Sequence, residues 1–555
     1  MSSNNEAWGS RIGLVLAMAG NAVGLGNFLR FPVQAMQNGG GAFIIPYIVC
    51  FLVMGIPLLW IEWSMGRFGG KFGHHSTPFI LDTMDKKRFW KYLGVFGIFT
   101  NIAVASYYCY IESWTMAYIY HFITGSFHGM DQIQVAQFFS DYVNINTTTT
   151  GLPYEALIFF VFCVALNTWI LSRGLSGGVE IASKIGMPLL IIFGFFLAYK
   201  GITLTAGEEG AVYDGTLALN FLWTPQFDSL MDPKVWLAAA GQIFFTLSVG
   251  MGTIQCYAAY IKPKDDIALN AMSAGWMNEF VEVVIGSSIL IPISIGYLGV
   301  DKVFELTQTG GLGLGFRTMP YLFQQWGTYI GAFAGIAFFG LLFFAGITSS
   351  LAMGTPWMGF LRDEFNWSRE KAAFSFGAIV LLLGSPTVFF FNEGVFDEYD
   401  YWAGTVSLVV FALGETILFA WVFGIKKGWS EITSGSDINV PNFYKYIILY
   451  ITPSLLICVF LGSLLSPVGG DWGAAWSGFI NGNGWNFDNG AIIAQIMNQR
   501  INAQIAAATD PLVISELERQ KFYVVASRLL LLTVWLAAAG LVYIAYRKRL
   551  REGRA

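Results

Sequence analysis

Two stretches, Gly20-Asn21-Ala22-Val23-Gly24-Leu25-Gly26-Asn27 and Phe245-Thr246-Leu247-Ser248-Val249-Gly250-Met251-Gly252-Thr253, set glycines near the middle of otherwise apolar segments. In hydrocarbon every backbone N–H and C=O needs a partner inside the protein. A spanning segment that gives up its helical ladder at mid-depth exposes such groups, so something polar must bind them. Interrupted helices in matching places of two chain halves point to the central site of a secondary transporter. Packing glycines are common in membrane helices and would explain one such cluster. Two clusters, each flanked by Asn, Ser or Thr, favour the interrupted reading.

The 555 residues are 55% hydrophobic and 12% charged, where soluble domains are about one quarter charged. Mean hydropathy is +0.56. The fold class that follows is an all-α integral membrane protein, with the lipid bilayer as its surroundings. A net charge of −5 without a basic tract interleaved with aromatics gives no footing for nucleic acid. Cys50, Cys109, Cys163, Cys256 and Cys458 lie in apolar segments and read as small buried hydrophobes. The apolar run 12–34 is too long for a signal-peptide core and reads as a retained span.

At ~20 apolar residues per helix, about twelve spans are expected, centred near residues 24, 54, 106, 162, 188, 248, 284, 342, 380, 410, 454 and 534. Those near 284 and 342 are longer than a bilayer requires. Lys and Arg gather in alternate connections, as in Arg67, Lys71, Lys86, Lys87, Arg88 and Lys91, and in the tail Arg547-Lys548-Arg549. Both termini are therefore expected in the cytoplasm of a multi-pass protein of the plasma membrane, the inner membrane if the source is prokaryotic. Asn146-Thr147-Thr148 fits a glycosylation acceptor pattern that also arises by chance. Gly310-Gly311-Leu312-Gly313-Leu314-Gly315 lacks the strand–turn–helix context of a nucleotide site and is expected to form a loop hairpin; residues 498–520 read as a polar, helix-like stretch.

A dipolar amino acid at mid-membrane needs donors for its carboxylate and acceptors for its ammonium, which half-helix ends supply. The Leu25 and Gly26 amides would face the carboxylate; the Ala22, Phe245 and Thr246 carbonyls would face the ammonium and cations. Sodium takes oxygen ligands, and Asn27, Thr246, Asn278 and Thr348-Ser349-Ser350 offer them in apolar surroundings, although a lone hydroxyl in a membrane helix commonly bonds its own i−4 carbonyl. Glu62, Glu112, Glu279, Glu282 and Glu415 lie inside apolar runs, where charge is costly. Glu62 either accepts N–H groups freed by a break or bonds elsewhere in the bundle. His74, His75, His121 and His128 fall in loops or at span ends without an enzyme's metal or nucleophile pattern, and His74-His75 reads as a solvated pair.

The stretch Asn21 to Pro32 resembles the signature of the neurotransmitter:sodium symporter family. Asn38-Gly39-Gly40-Gly41-Ala42-Phe43, Tyr107-Tyr108, Ile111-Glu112-Ser113-Trp114, Gln242 to Ser248 and Asp397 to Thr405 are similar to it too. The resemblance covers nearly the whole chain. It implies a LeuT-type fold: two inverted five-helix repeats, residues 11–200 and 234–424, with helices 1 and 6 discontinuous. Around them would lie an N-terminal segment 1–10, an outer loop 201–233, two further helices in 425–546 with a long outer loop 469–520, and a basic tail 547–555. It also implies sodium-coupled uptake of an amino acid by alternating access, with Na+ as the co-transported ion and two ions expected. A first sodium site would use Ala22, Asn27, Thr246, Asn278 and the substrate carboxylate; a second would use Gly20, Val23, Ala345, Thr348 and Ser349. Tyr108 would donate to the carboxylate, while Val104, Phe245, Ser248, Met251 and Met353 would line the pocket, with Leu25, Gly26 and Ser349 beside them. Arg30 and Asp400 would form an outer gate under which Tyr108 and Phe245 act as lid; Trp8, Tyr260 and Asp363 would belong to an inner gate. Gly178 and Pro188 match the family's fifth-helix pattern. A homodimer is left open.

Three positions refine this. Gly24 stands where monoamine members carry Asp, which favours a substrate bringing its own carboxylate. Glu282 stands where chloride-dependent members have a neutral residue, so its charge would substitute for chloride. Asn5 stands where the family has Arg or Lys, which leaves Asp363 without its usual partner; Arg11 is one substitute, and Trp8 with Tyr260 alone is another. A weaker inner gate, corrected by Asn5→Arg, is expected. Met251 and Met353 suit Leu, Met or aromatic side chains, because methionine refills irregular space; plain volume replacement without a change of preference is the alternative. A channel or a non-transporting amino-acid sensor on the same fold are the rival readings.

Overall fold

The computed structural model describes residues 7–144, 152–308 and 310–553, and the elements among them are helical apart from one isolated bridge between Pro467 and Phe487. The helices that matter for the site are α1 (Arg11–Ala22), α2 (Leu25–Gln37), α3 (Gly41–Gly70), α4 (Phe89–Thr124), α5 (Tyr154–Ser172), α6 (Leu175–Ile202) and α7 (Pro233–Leu247). They continue as α8 (Thr253–Ala258), α9 (Ile267–Leu298), α10 (Thr328–Phe365), α11 (Arg369–Phe389), α12 (Val395–Thr433), α13 (Tyr444–Leu465) and α14 (Pro511–Arg551). Ten of these are each long and apolar enough to cross a membrane, and α1 with α2, bent by 47°, makes an eleventh span. The expected twelfth falls on α7 and α8, whose separation by residues 248–252 leaves neither piece long enough alone.

The most apolar window of α4 is 94% buried and that of α14 only 22%, so α4 is the core and α14 the periphery. A helix apolar on every side is stable only when surrounded by protein or lipid. α10 packs along α4, α6 packs on α10, and α1 is held between α6, α9 and α10. The described ends of the chain lie on one face: Trp8 Nε1 donates to the carbonyl of Tyr257 in α8 (3.1 Å), and Arg549 of α14 pairs with Glu364 at the end of α10.

Four expectations are corrected here. The stretch 498–520 is not one helix: Gln499–Ala507 stops and α14 begins at Pro511, because Asp510 caps the new helix and proline is suited to its first turn. The glycine run forms short helical turns at Gly310–Leu312 and Gly313–Thr318 rather than a hairpin loop. There the lack of a side chain permits close approach, since a Cβ on Gly311 would come within 2.0 Å of the Leu29 carbonyl oxygen. Cys458 is exposed on the outer side of α13 while the other four cysteines are buried. His74 and His75 are not a solvated pair, as described below. Asn5 and Asn146 to Thr148 lie outside the described residues.

Candidate substrate and ion site

Each break is held by named partners for the peptide groups it frees. α1 ends at Ala22, and Val23 N still donates to Ala19 O (2.6 Å). Gly24 N donates instead to Asn27 Oδ1 (2.8 Å), so a side chain from the next helix caps the gap. In the second break Ser248, Gly250 and Gly252 have φ of 53°, 75° and 81°, a left-handed path open to glycine. Gly250 N donates to Glu62 Oε1 (2.6 Å), which is the freed-amide role considered for Glu62. Asn101 Nδ2 donates to the Met251 carbonyl (2.7 Å). The breaks also meet each other: Ser248 Oγ donates to Asn21 O (2.9 Å). Asn101 and Asn21 were not singled out from the sequence; each is a lone amide in an apolar helix, which is the signal that could have found them.

Two groups of oxygens flank the meeting point. In the first, Asn27 Nδ2 donates to Asn278 Oδ1 (2.8 Å) and Thr246 Oγ1 (3.1 Å), and Asn278 Nδ2 reaches Thr246 Oγ1 (2.9 Å). Glu282, fully buried, is the hub behind them: it accepts from Gln242 Nε2 (2.5 Å), Asn27 Nδ2 (3.2 Å) and Thr246 Oγ1. In the second, Ser349 Oγ lies 3.2, 3.5 and 3.1 Å from the carbonyls of Gly20, Val23 and Ala345. Thr348 Oγ1 bonds only Phe344 O (2.9 Å) and Ala345 O (3.2 Å) of its own helix among the described residues, whereas Ser349 Oγ combines the own-helix bond to Ala345 O with contacts to the carbonyls of the first break. The donor sets are carbonyl, hydroxyl and amide oxygens, which suit a hard cation. Among the described residues no group of three His, Cys, Asp or Glu is placed to hold a metal ion.

Between these groups a cavity of ≈ 30 Å³ is lined by Ala22, Gly24, Val104, Tyr108, Met251 and Met353, among others. Tyr108 Oη accepts from Leu25 N (3.1 Å). Phe245 and Tyr108 also line a second cavity of ≈ 370 Å³, with Arg30, Asp397 and Asp400. Arg30 and Asp400 thus face one chamber, but no ion pair joins them among the described residues. Arg30 sits 4.3 Å over the Phe245 ring, and Asp400 Oδ1 accepts from Tyr107 Oη (2.6 Å).

On the face with the chain ends, Arg11 does not substitute at Asp363. It pairs with Asp437 (3.0 Å), Asn270 (2.8 Å) and Asp266 (3.7 Å). Asp363 instead accepts from His75 N (2.7 Å) and lies 3.1 Å from His75 Nδ1. The His75 ring stacks on Tyr260 at 4.2 Å, and His74 lies against Arg549. Gly178 lies in the wide first turn of α6 and Pro188 farther along it.

Broken helices paired around buried oxygens, in a bundle of ten or eleven apolar spans, define a multi-pass membrane protein with a central small-solute site. The sodium:neurotransmitter symporter family profile matches residues 5–134 and 127–486. A sodium-dependent transporter of Methanocaldococcus jannaschii is 31% identical over 461 residues, covering 82% of this chain and 89% of its own. A sodium-dependent nutrient amino acid transporter of Drosophila grimshawi is 26% identical, covering 86% and 80%. The crystal structure of MhsT in complex with L-phenylalanine superposes with a TM-score of 0.70 at 28% identity, covering 82% of this chain and 99% of that one. The chain belongs to the sodium:neurotransmitter symporter family, and is a sodium-dependent transporter rather than an enzyme.

Proposed function

We propose that the protein takes up a hydrophobic L-amino acid together with two sodium ions by alternating access, without needing chloride. The observation that carries this reading is the Ser248–Asn21 bond, which brings both backbone breaks to one point between two oxygen clusters. One sodium ion would take the oxygens of Ala22, Asn27, Thr246 and Asn278 and touch the substrate carboxylate; the other would sit among Gly20, Val23, Ala345, Thr348 and Ser349. A shared ligand makes each raise the other's affinity, as linkage demands. Tyr108 would donate to the carboxylate. Val104, Phe245, Met251 and Met353 would receive the side chain, the two methionines shifting to admit it, and MhsT's bound phenylalanine supports an apolar substrate. Glu282 supplies a fixed negative charge beside the first cluster, where an anion would otherwise balance the cation.

In this reading the ≈ 370 Å³ chamber opens outward, Phe245 and Tyr108 close it, and the face with the chain ends is cytoplasmic. The repeats would be residues 11–200 and 234–424, and the protein would reside in a prokaryotic plasma membrane. Uptake of labelled Ala, Leu, Met, Phe and Trp into proteoliposomes, with sodium or potassium outside and chloride or gluconate as anion, tests it. Leu, Met or aromatic uptake that requires sodium and is equal in both anions is expected. A preference for Ala, or a chloride requirement, would overturn the corresponding part, and binding without flux would favour a sensor.

A further inference from the structure

We propose that His75 is the cation that closes the cytoplasmic gate, at the place where the family resemblance leads one to expect a basic residue at position 5. Among the described residues, every hydrogen bond and ion pair of Asp363 comes from His75: the backbone amide at 2.7 Å and the ring Nδ1 at 3.1 and 3.3 Å from the two carboxylate oxygens. The two side chains are 23% and 14% exposed, so water and salt screen this pair less than a pair on the open surface. The loop backbone packs closely on α10, since a Cβ on Gly359 would lie 2.4 Å from the His75 carbonyl oxygen.

His75 also reaches the moving side of the gate. Its ring stacks on Tyr260 (4.2 Å, 22°), just past α8, the inner half of the second broken helix. Tyr257 of the same short helix packs edge-on against Trp8 at 5.1 Å and accepts the Trp8 indole N–H. A single side chain therefore joins the end of α10 to α8, and through α8 to the segment before α1. The other nearby cation of the N-terminal region, Arg11, is engaged with Asp437, Asp266 and Asn270. The His75–Asp363 contact ties the end of α10 to Tyr260 just past α8, and separating these elements to release substrate inward requires breaking it.

The inference rests on the alternating-access reading, and the experiment keeps the two apart. Cys256 is fully buried on α8, one turn before Tyr260, and serves as a native reporter once the exposed Cys458 is changed to Ser. The rate at which a small maleimide alkylates Cys256 in sodium is read by peptide mass spectrometry. His75→Ala and His75→Gln are expected to speed alkylation by about fivefold, the size of a partly screened ion pair, while His75→Lys stays within about twofold of the parent. Parent-like alkylation in His75→Ala, or equal rates in His75→Gln and His75→Lys, would overturn the proposal, the second outcome by showing that charge is not what holds the gate. Sodium-dependent leucine binding by the parent is measured alongside; its absence would count against the transport reading itself, whatever the alkylation rates.

Discussion

Gly24 shows how much of the site is decided by single residues. A Cβ placed there would lie 2.8 Å from Tyr108 Oη and 3.2 Å from Ser349 Oγ, so even alanine presses on both the Tyr108 hydroxyl and the second oxygen cluster. Gly24→Ala is therefore expected to weaken substrate binding by at least about tenfold, some 1.4 kcal/mol, measured by equilibrium binding of labelled leucine; unchanged affinity would contradict the placement of the carboxylate beside Gly24. Sequence alone singled out Gly24, Asn27, Thr246, Asn278, Glu282 and Ser349, because polar or glycine residues in apolar runs are conspicuous. It could not find the Ser248–Asn21 bond, which joins residues 227 apart in sequence through a serine in left-handed backbone. Nor could it place His75, whose partner Asp363 is 288 residues away and whose local surroundings look like an exposed loop.

At the scale of elements, a broken helix is stable only where its freed peptide groups are met, and here Glu62, Asn27 and Asn101 meet them. The breaks were legible because two glycine clusters, each flanked by Asn, Ser or Thr, fall in matching places of the two chain halves. The boundary of α14 was not, since a capped restart at Asp510-Pro511 looks like the continuation of one polar helix. Among the described residues of the second oxygen cluster, Ser349 carries the hydroxyl that bonds both α1 and α10, and Ser349→Ala removes it. It is expected to raise the sodium concentration for half-maximal leucine binding by about tenfold, with thermal stability in detergent little changed; an unaltered sodium dependence would exclude this cluster as an ion site. Peripheral α14 is held at two points: Arg528 near its middle reaches Glu398 (2.6 and 2.9 Å), and Arg549 near its last turn pairs with Glu364. Removing one partner of a buried pair strands the other, so Arg549→Ala is expected to cost about 3 kcal/mol, seen as a lowered Tm; a Tm equal to the parent's would show that α14 is not anchored there.

For the molecule as a whole, the two breaks meet at one point between two clusters of peptide and side-chain oxygens. In the proposed reading, sodium is a component of the binding site itself. The driving force in that reading follows, because roughly 2.3 kcal/mol is gained for each charge moved across 100 mV, and the proposed two ions with their concentration gradient would sustain steep accumulation. The general outline, an all-helical bundle with a central site between interrupted helices, was readable from composition and two glycine clusters. The His75–Asp363 contact was not, because it joins residues 288 apart in sequence. The most direct measurement is equilibrium binding of labelled leucine to the purified protein in sodium and in potassium at equal ionic strength. Saturable binding in sodium that weakens by about a hundredfold or more in potassium is the outcome this account predicts; equal binding in the two salts would contradict it.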